Sequence, residues 1–114
     1  MKPTIGRTVI FRITEEQAQQ INRRRTDGKA IADRIAKNTS ATSAWPIGAQ
    51  AHIGNNVTAG QEFPLVIVAV WPDEFGQGKP GVNGQAFLDG NDSFWVTSAG
   101  EGAENGQWHW PERV

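Results

Sequence analysis

Cysteine is absent from these 114 residues, and with it disulfides, thiolate metal sites and a cysteine nucleophile. Tyrosine is absent too. The two histidines, His52 and His109, have no neighbours that would complete a triad or a metal cluster. The usual acid, base and nucleophile sets of an enzyme are therefore missing, and a non-enzymatic protein without cofactor or metal is the expectation. No run approaches the roughly 18 apolar residues of a membrane span, and MKPTIGRTVIF lacks a sustained apolar signal core. A cytoplasmic location without membrane partners is the expectation. There is no phosphate-binding loop, no dinucleotide fingerprint and no internal repeat. Asp89-Gly90-Asn91-Asp92 has the start of a calcium loop but lacks the glycine at its sixth position and has Gly100 where the twelfth needs glutamate.

Charge is also scarce in sum, a net of −1, but it is unevenly distributed. Residues 1–37 hold nine Lys and Arg against four Asp and Glu, a net of +5; residues 38–114 hold two against eight, a net of −6. Oppositely charged halves attract, so the basic segment either lies on the acidic remainder, within one subunit or between two, or receives an anion such as phosphate. Extended DNA or RNA is a poor fit, because polymer binding draws on a broad positive surface that tracks many phosphates.

A chain of this length suits one domain, residues 1–114, burying roughly two thirds of its unfolded surface. Residues 5–13 alternate Val9, Phe11 and Ile13 against Thr8, Ile10 and Arg12, which predicts a strand with one buried face. Thr14-Glu15-Glu16-Gln17 fits a capping box and opens a helix, with both glutamates at the positive end of its dipole. Unbroken to Lys37, that helix is about 34 Å long. Ala18, Ile21, Gly28, Ile31, Ala32, Ile35 and Ala36 then share one side, and Asp33 with Lys37 makes an i, i+4 pair. A break near Thr26–Gly28 is the alternative. Arg24 and Arg25 project within the apolar sector, where guanidiniums need partners: either acids of the second half or a phosphate in a pocket between subunits.

Residues 38–60 read as a long connection, with Trp45-Pro46-Ile47 and His52-Ile53 as anchors, Ala49–Ile53 as a short edge strand, and His52 as a structural hydrogen-bonding group. Residues 63–71, FPLVIVAVW, predict a central strand buried on both faces. Val82–Ser98 predicts a hairpin closed by a two-residue loop at Gly90-Asn91, which would set Phe87 opposite Phe94, Ala86 opposite Trp95 and Asp89 opposite Asp92. Trp108-His109-Trp110 alternates to place both indoles on one face, and Pro111 ends the pairing. The expected fold is α+β: a small antiparallel β-barrel or strongly bent sheet, SH3-like, with a long helical insertion after the first strand.

Five tryptophans beside Arg and Asn are what a protein needs to stack a nucleobase and hold its phosphates; the same tryptophans also suit the core of a small barrel. Val82-Asn83, Phe87-Leu88-Asp89-Gly90, Trp95-Val96-Thr97-Ser98, Glu101-Gly102 and Trp108-His109-Trp110-Pro111, extended by Ile5-Gly6 and His52-Ile53-Gly54-Asn55, carry a resemblance to small accessory proteins of tailed bacteriophages and prophages. At the level of class, the chain is also similar to phage anti-defence sponges, including those acting against Thoeris, which are small homo-oligomers with pockets between subunits. The resemblance implies a location in the infected host's cytoplasm, a homo-oligomer of two or more copies, and capture of a cyclic-nucleotide or cyclic-ADP-ribose-like messenger of a defence such as Thoeris or CBASS. On that expectation Arg24, Arg25 and Arg113 hold phosphates; Phe87, Trp95 or Trp110 stacks on a base; and Asn83 and Asn91 meet ribose or base edges. A structural accessory protein without a small ligand and a nucleic-acid-associated modulator are the alternatives.

Overall fold

The computed structural model describes residues 2–37 and 54–112, with helical side chains described through Asp27 and at Lys29. The expected Trp45-Pro46-Ile47 anchors, His52, the Ala49–Ile53 strand and Arg113 lie outside the described residues, as do the side chains of the distal apolar stripe and of the Asp33–Lys37 pair. The elements run β1 (Thr8–Arg12), α1 (Glu15–Lys37), β2 (Glu62–Trp71), β3 (Gly81–Phe87), β4 (Ser93–Gly100) and β5 (Trp108–His109). The strands form one antiparallel sheet in the order β4-β3-β2-β1-β5, curled as a half-barrel. The fold is α+β, with its one helix following the first strand.

The local signals act as their chemistry dictates. Val9, Phe11 and Ile13 are buried, as period-two alternation requires. Thr14 closes the helix start reciprocally: Gln17 N–H donates to Thr14 Oγ1 at 3.1 Å, and Thr14 N–H donates to Gln17 Oε1 at 2.9 Å. The helix is continuous from Glu15 to Lys37, without a break at Thr26–Gly28. Its first half sinks Ala18 and Ile21 into the core, and Asn22 exchanges two hydrogen bonds with the Val57 main chain, at 2.8 and 2.7 Å. The Asn22 amide thus pairs with Val57 as a neighbouring strand would.

Two expectations need correction. β2 is central but is not buried on both faces: Leu65 and Ile67 point inward, whereas Val68 and Trp71 are exposed. The first half of the helix packs Ala18 and Ile21 into the core on the inner face, whereas the outer face of the sheet has no second layer among the described residues, so only one face of β2 is covered. The hairpin also closes differently. Phe87 pairs with Ser93, Ala86 with Phe94 and Gln85 with Trp95, one residue away from a two-residue closure, and Leu88–Asp92 form the connection. Asp89 therefore does not lie opposite Asp92. A one-residue slip exchanges the faces of a strand. The observed register turns Phe94 and Val96 inward; the alternative would bury Thr97 and expose both of those apolar side chains.

Beyond a bulge the expected register returns, with Val82 opposite Ala99 and Gly81 opposite Gly100. The bulge places Thr97 and Ser98 against Asn83. Ser98 takes φ 54°, and its N–H is held by Asn83 Oδ1 at 2.8 Å. A second bulge at Val68 lies on the other side of the same stretch of β3. At Gly84, between them, a side chain would run into the Val66 carbonyl. Paired bulges around a bare backbone position are what bend the sheet.

The curl brings the two sheet edges together at one corner. Glu101 bridges to Trp108, Gly102 N–H donates to the Trp108 carbonyl at 2.9 Å, and Trp108 Nε1 donates to the Ala99 carbonyl at 3.1 Å. Trp108 is fully buried and meets Trp110 edge to face at 5.4 Å.

Residues 72–80 form a small turn of their own. Gly76, Gln77 and Gly78 all have positive φ, Lys79 N–H returns to the Gly76 carbonyl, and Asp73 Oδ1 accepts from Gly78 N–H. Gln77, at φ 55°, is the one side chain in this left-handed run. Gln77→Gly is expected to raise stability by about 0.5–1 kcal/mol by relieving that conformation. Urea denaturation checks this.

Candidate functional site

The structure divides the expected site residues among four places. Arg24 and Arg25 lie at the end of the half-barrel capped by the Leu88–Asp92 connection, and both reach Asp92. Arg25 is 5% exposed; its Nη1 lies 2.7 Å from Asp92 Oδ1, and its Nε donates to the Asn55 carbonyl at 3.3 Å. Arg24 is half-buried, with Nη1 3.0 Å from the Ser93 carbonyl, 3.4 Å from Asp92 Oδ2, and its guanidinium over the Phe94 ring at 5.2 Å. The Asp92 side chain is 3% exposed. Two cations on one buried carboxylate answer the question that two apolar-side arginines pose: acids of the second half neutralise them. Arg25 Nη2 is buried without a hydrogen-bond partner among the described residues.

Asp89 is held by a different donor. Asn55 Nδ2 donates to Asp89 Oδ2 at 2.7 Å, and Asn55 N–H donates to the Asp89 carbonyl at 3.0 Å. The chains come so close here that a side chain at Gly54 would collide with the Asp89 carbonyl, the Gly90 Cα and the Arg25 guanidinium. Asn91 is exposed in the same connection.

Phe87 and Trp95, 51% and 46% exposed, stand on the outer face of β3 and β4 and share no surface with the arginines' buried carboxylate. Asn83 is occupied at the Ser98 bulge. Trp110 is partly buried against the core and carries the Arg7 guanidinium over its ring at 5.4 Å. The seven expected positions that lie among the described residues do not converge on one cavity.

A groove of about 800 Å³ does form, where the β4 end approaches β5. Phe75, Lys79, Ser98, Gly100, Glu101 and Gln107 contribute to its walls. Phe75, 52% exposed, lies across two facing glycines: a methyl at Gly81 or Gly100 would sit 3.1 or 3.2 Å from its ring. An aromatic ring over a cross-strand glycine pair is a known device for covering bare backbone. Here it also leaves one ring edge open to the groove. Lys79 supplies an ammonium and Glu101 a carboxylate, while the Gln107 amide lies over Gly102 and the Phe75 ring over Gly100. A second hollow, of about 650 Å³, shares Pro80 and Glu101 with the first and adds Lys2 and Asp73.

Sequence reasoning missed Phe75 and Lys79. The readable signal was the pair Gly81 and Gly100, which becomes informative only once the strands are paired beyond the bulge.

On the outer face of β1, β2 and β5, His109 Nε2 lies 3.0 Å from Glu62 Oε2, with Arg12 at 3.8 Å from the same oxygen. Among the described residues, no group of three or more His, Asp or Glu is placed to hold a metal ion, and no helix is long and apolar enough to cross a membrane. No family model, no curated protein and no solved structure matches this chain.

Proposed function

We propose that this chain is a non-enzymatic binding protein of the tailed-phage accessory kind. It acts in the host cytoplasm by sequestering a small cyclic-nucleotide or cyclic-ADP-ribose-type signal, and so inhibits a bacterial anti-phage defence. The observation that carries the reading is the groove beside Phe75. It sets an exposed aromatic ring, the Lys79 ammonium, the Glu101 carboxylate and the Gln107 amide around one hollow, in a volume that suits a small ligand. A ring for a base, a cation for phosphate and a carboxylate for ribose hydroxyls is the polar and aromatic set that nucleotide capture uses. On this reading the curled sheet is an SH3-like barrel whose end, rather than its arginine pair, receives the ligand.

Calorimetric titration against a panel of cyclic dinucleotides and cyclic ADP-ribose isomers tests it. Binding of one member is expected, weakened roughly tenfold or more by Phe75→Ala, since stacking on an aromatic ring is worth about 1–3 kcal/mol per base. Arg24→Ala should leave the affinity unchanged. Flat heats across the whole panel would retire the ligand.

A second reading, a structural accessory protein, is favoured by the exposure of Phe87 and Trp95 on an uncovered sheet face. Mass spectrometry of purified virions separates the two, because a structural subunit appears there in fixed proportion and a sponge does not.

A further inference from the structure

We propose that residues 72–80, which connect β2 to β3, are a hinged flap: they move as one body, and their position sets the width of both hollows beside Glu101. This inference stands on how the connection is fastened and not on the ligand reading, and survives or fails without it.

Three connections link β2 to β3, β3 to β4 and β4 to β5: residues 72–80, 88–92 and 101–107. Two of them are tied to the body by polar contacts. Residues 88–92 are held by Arg25 on Asp92 and by Asn55 on Asp89. Residues 101–107 are held by Gly102 N–H on the Trp108 carbonyl, Gly106 N–H on the Arg12 carbonyl at 2.6 Å, and Arg12 Nη1 on the Ala103 carbonyl at 2.8 Å. Residues 72–80, the longest of the three, have no such tie. Phe75 N–H donates to the Lys79 carbonyl at 3.2 Å, Gly76 N–H to the Asp73 carbonyl at 3.1 Å, Lys79 N–H to the Gly76 carbonyl at 3.0 Å and Gly78 N–H to Asp73 Oδ1 at 2.6 Å. Glu74 N–H reaches back only to the Trp71 carbonyl, at the root. Among the described residues, no hydrogen bond or ion pair joins this connection to any other part of the chain.

The bonding makes the connection stiff within and weakly held at its base. Gly76, Gln77 and Gly78 take left-handed conformations in series, locked by the bonds around them. Pro72 and Pro80 lack an N–H, so the β2–β3 ladder stops at Trp71 and Gly81 with a proline directly beyond it on either strand. Packing alone keeps the flap down. The Phe75 ring lies over Gly81 and Gly100, and Glu74 covers Gly81 as well, so that a methyl there would run into its carboxylate. Phe75 is 52% exposed and stands outside the buried core cluster. Over two glycines it has no side chain beneath to interlock with, so it can lift without opening a cavity in the core.

The flap separates the two hollows. Phe75 and Lys79 face the first, Pro72, Asp73 and Gly78 face the second, and Pro80 belongs to both. Glu101, in the remaining wall, is also common to the two. A swing about the proline roots therefore changes both volumes together and uncovers the main chain of Gly81 and Gly100. A lifted state populated at roughly 1–10% and exchanging in microseconds to milliseconds is the expectation for such a lid.

Nitrogen-15 relaxation dispersion of the full, ligand-free chain tests the flap, together with amide hydrogen exchange. The amides of residues 73–79 should share one exchange rate and one population, which residues 88–92 and 101–107 do not share. Phe75→Ala should raise the lifted population roughly five- to tenfold, the ratio expected for losing the buried half of a phenylalanine. The Gly78 and Lys79 amides should keep their protection from hydrogen exchange in that variant, because their bonds travel with the flap. Gly100→Ala, whose methyl would press on the ring from beneath at 3.2 Å, should shift the population in the same direction and serves if Phe75→Ala fails to fold. Flat dispersion at residues 73–79 in the wild-type chain and the variants would overturn the proposal. Rates that differ from residue to residue, or protection of Gly78 and Lys79 lost in step with the exchange, would mean local fraying and overturn it equally.

Discussion

Asp92→Ala is expected to cost about 3–5 kcal/mol of folding stability, the range for removing one member of a buried ion pair. The size follows from what is left behind. Among the described residues, buried Arg25 reaches one other acceptor, the Asn55 carbonyl at 3.3 Å, so its charge would remain in a low-dielectric site without a counter-ion from them. Arg24, a third exposed at its side chain, can turn to water and contributes little. Urea denaturation measures the loss. Asp92→Asn should fall between, because the amide keeps an acceptor for Arg25 but not the charge. Replacing Arg25 and Asp92 together by Met and Leu should recover much of the loss, because a buried ion pair exchanged for packed apolar side chains is often neutral. A loss below about 1 kcal/mol for Asp92→Ala would mean that the carboxylate does not hold the arginines in solution.

Trp108→Ala should be comparably severe, about 3–5 kcal/mol, because it empties the largest fully buried side chain of the core. Two terms are separable. Trp108→Phe keeps most of the volume but removes the indole N–H, leaving the Ala99 carbonyl without its donor at a cost of about 1–3 kcal/mol. The residual is packing, including the edge-to-face contact with Trp110. Because the Trp108 main chain also bridges Glu101 and accepts from Gly102, these variants should loosen the corner where the groove forms. Faster amide exchange at Gly102 in Trp108→Phe would register that loosening, while equal stability of Trp108→Phe and the wild-type chain would remove the indole hydrogen bond from the balance.

What could be read from the sequence was local. The alternation of Val9, Phe11 and Ile13 and the reciprocal cap of Thr14 and Gln17 are decided by neighbours within a few positions, and both stand in the structure. The hairpin was legible as two strands but not in register, because Phe94-Trp95-Val96-Thr97 offers an inward pair on either parity. The choice turned on burying Val96 rather than Thr97, and on a bulge at Ser98 that no local signal announces. Arg25 could be seen to need an acid, but the acid lies 67 positions away and eight stand in the second half. Asp89 and Asp92 were legible as carboxylates needing donors; that the donors are Asn55 and the arginine pair follows from tertiary approach at Gly54. β2 read as doubly buried because a continuous apolar run does not say how many faces will find a cover. The groove escaped notice for the same reason as the register: Phe75 matters only because Gly81 and Gly100 come to face each other beneath it.

These pairings bear on function, since a guanidinium committed to Asp92 is not available to a phosphate. A double-mutant cycle between Arg25 and Asp92, followed by urea denaturation of the wild-type chain, Arg25→Met, Asp92→Leu and the double variant, measures that commitment directly. A coupling of about 2–3 kcal/mol is expected, with anion binding unaffected by Arg25. Coupling below about 0.5 kcal/mol would contradict it and return Arg25 to the residues available for a ligand.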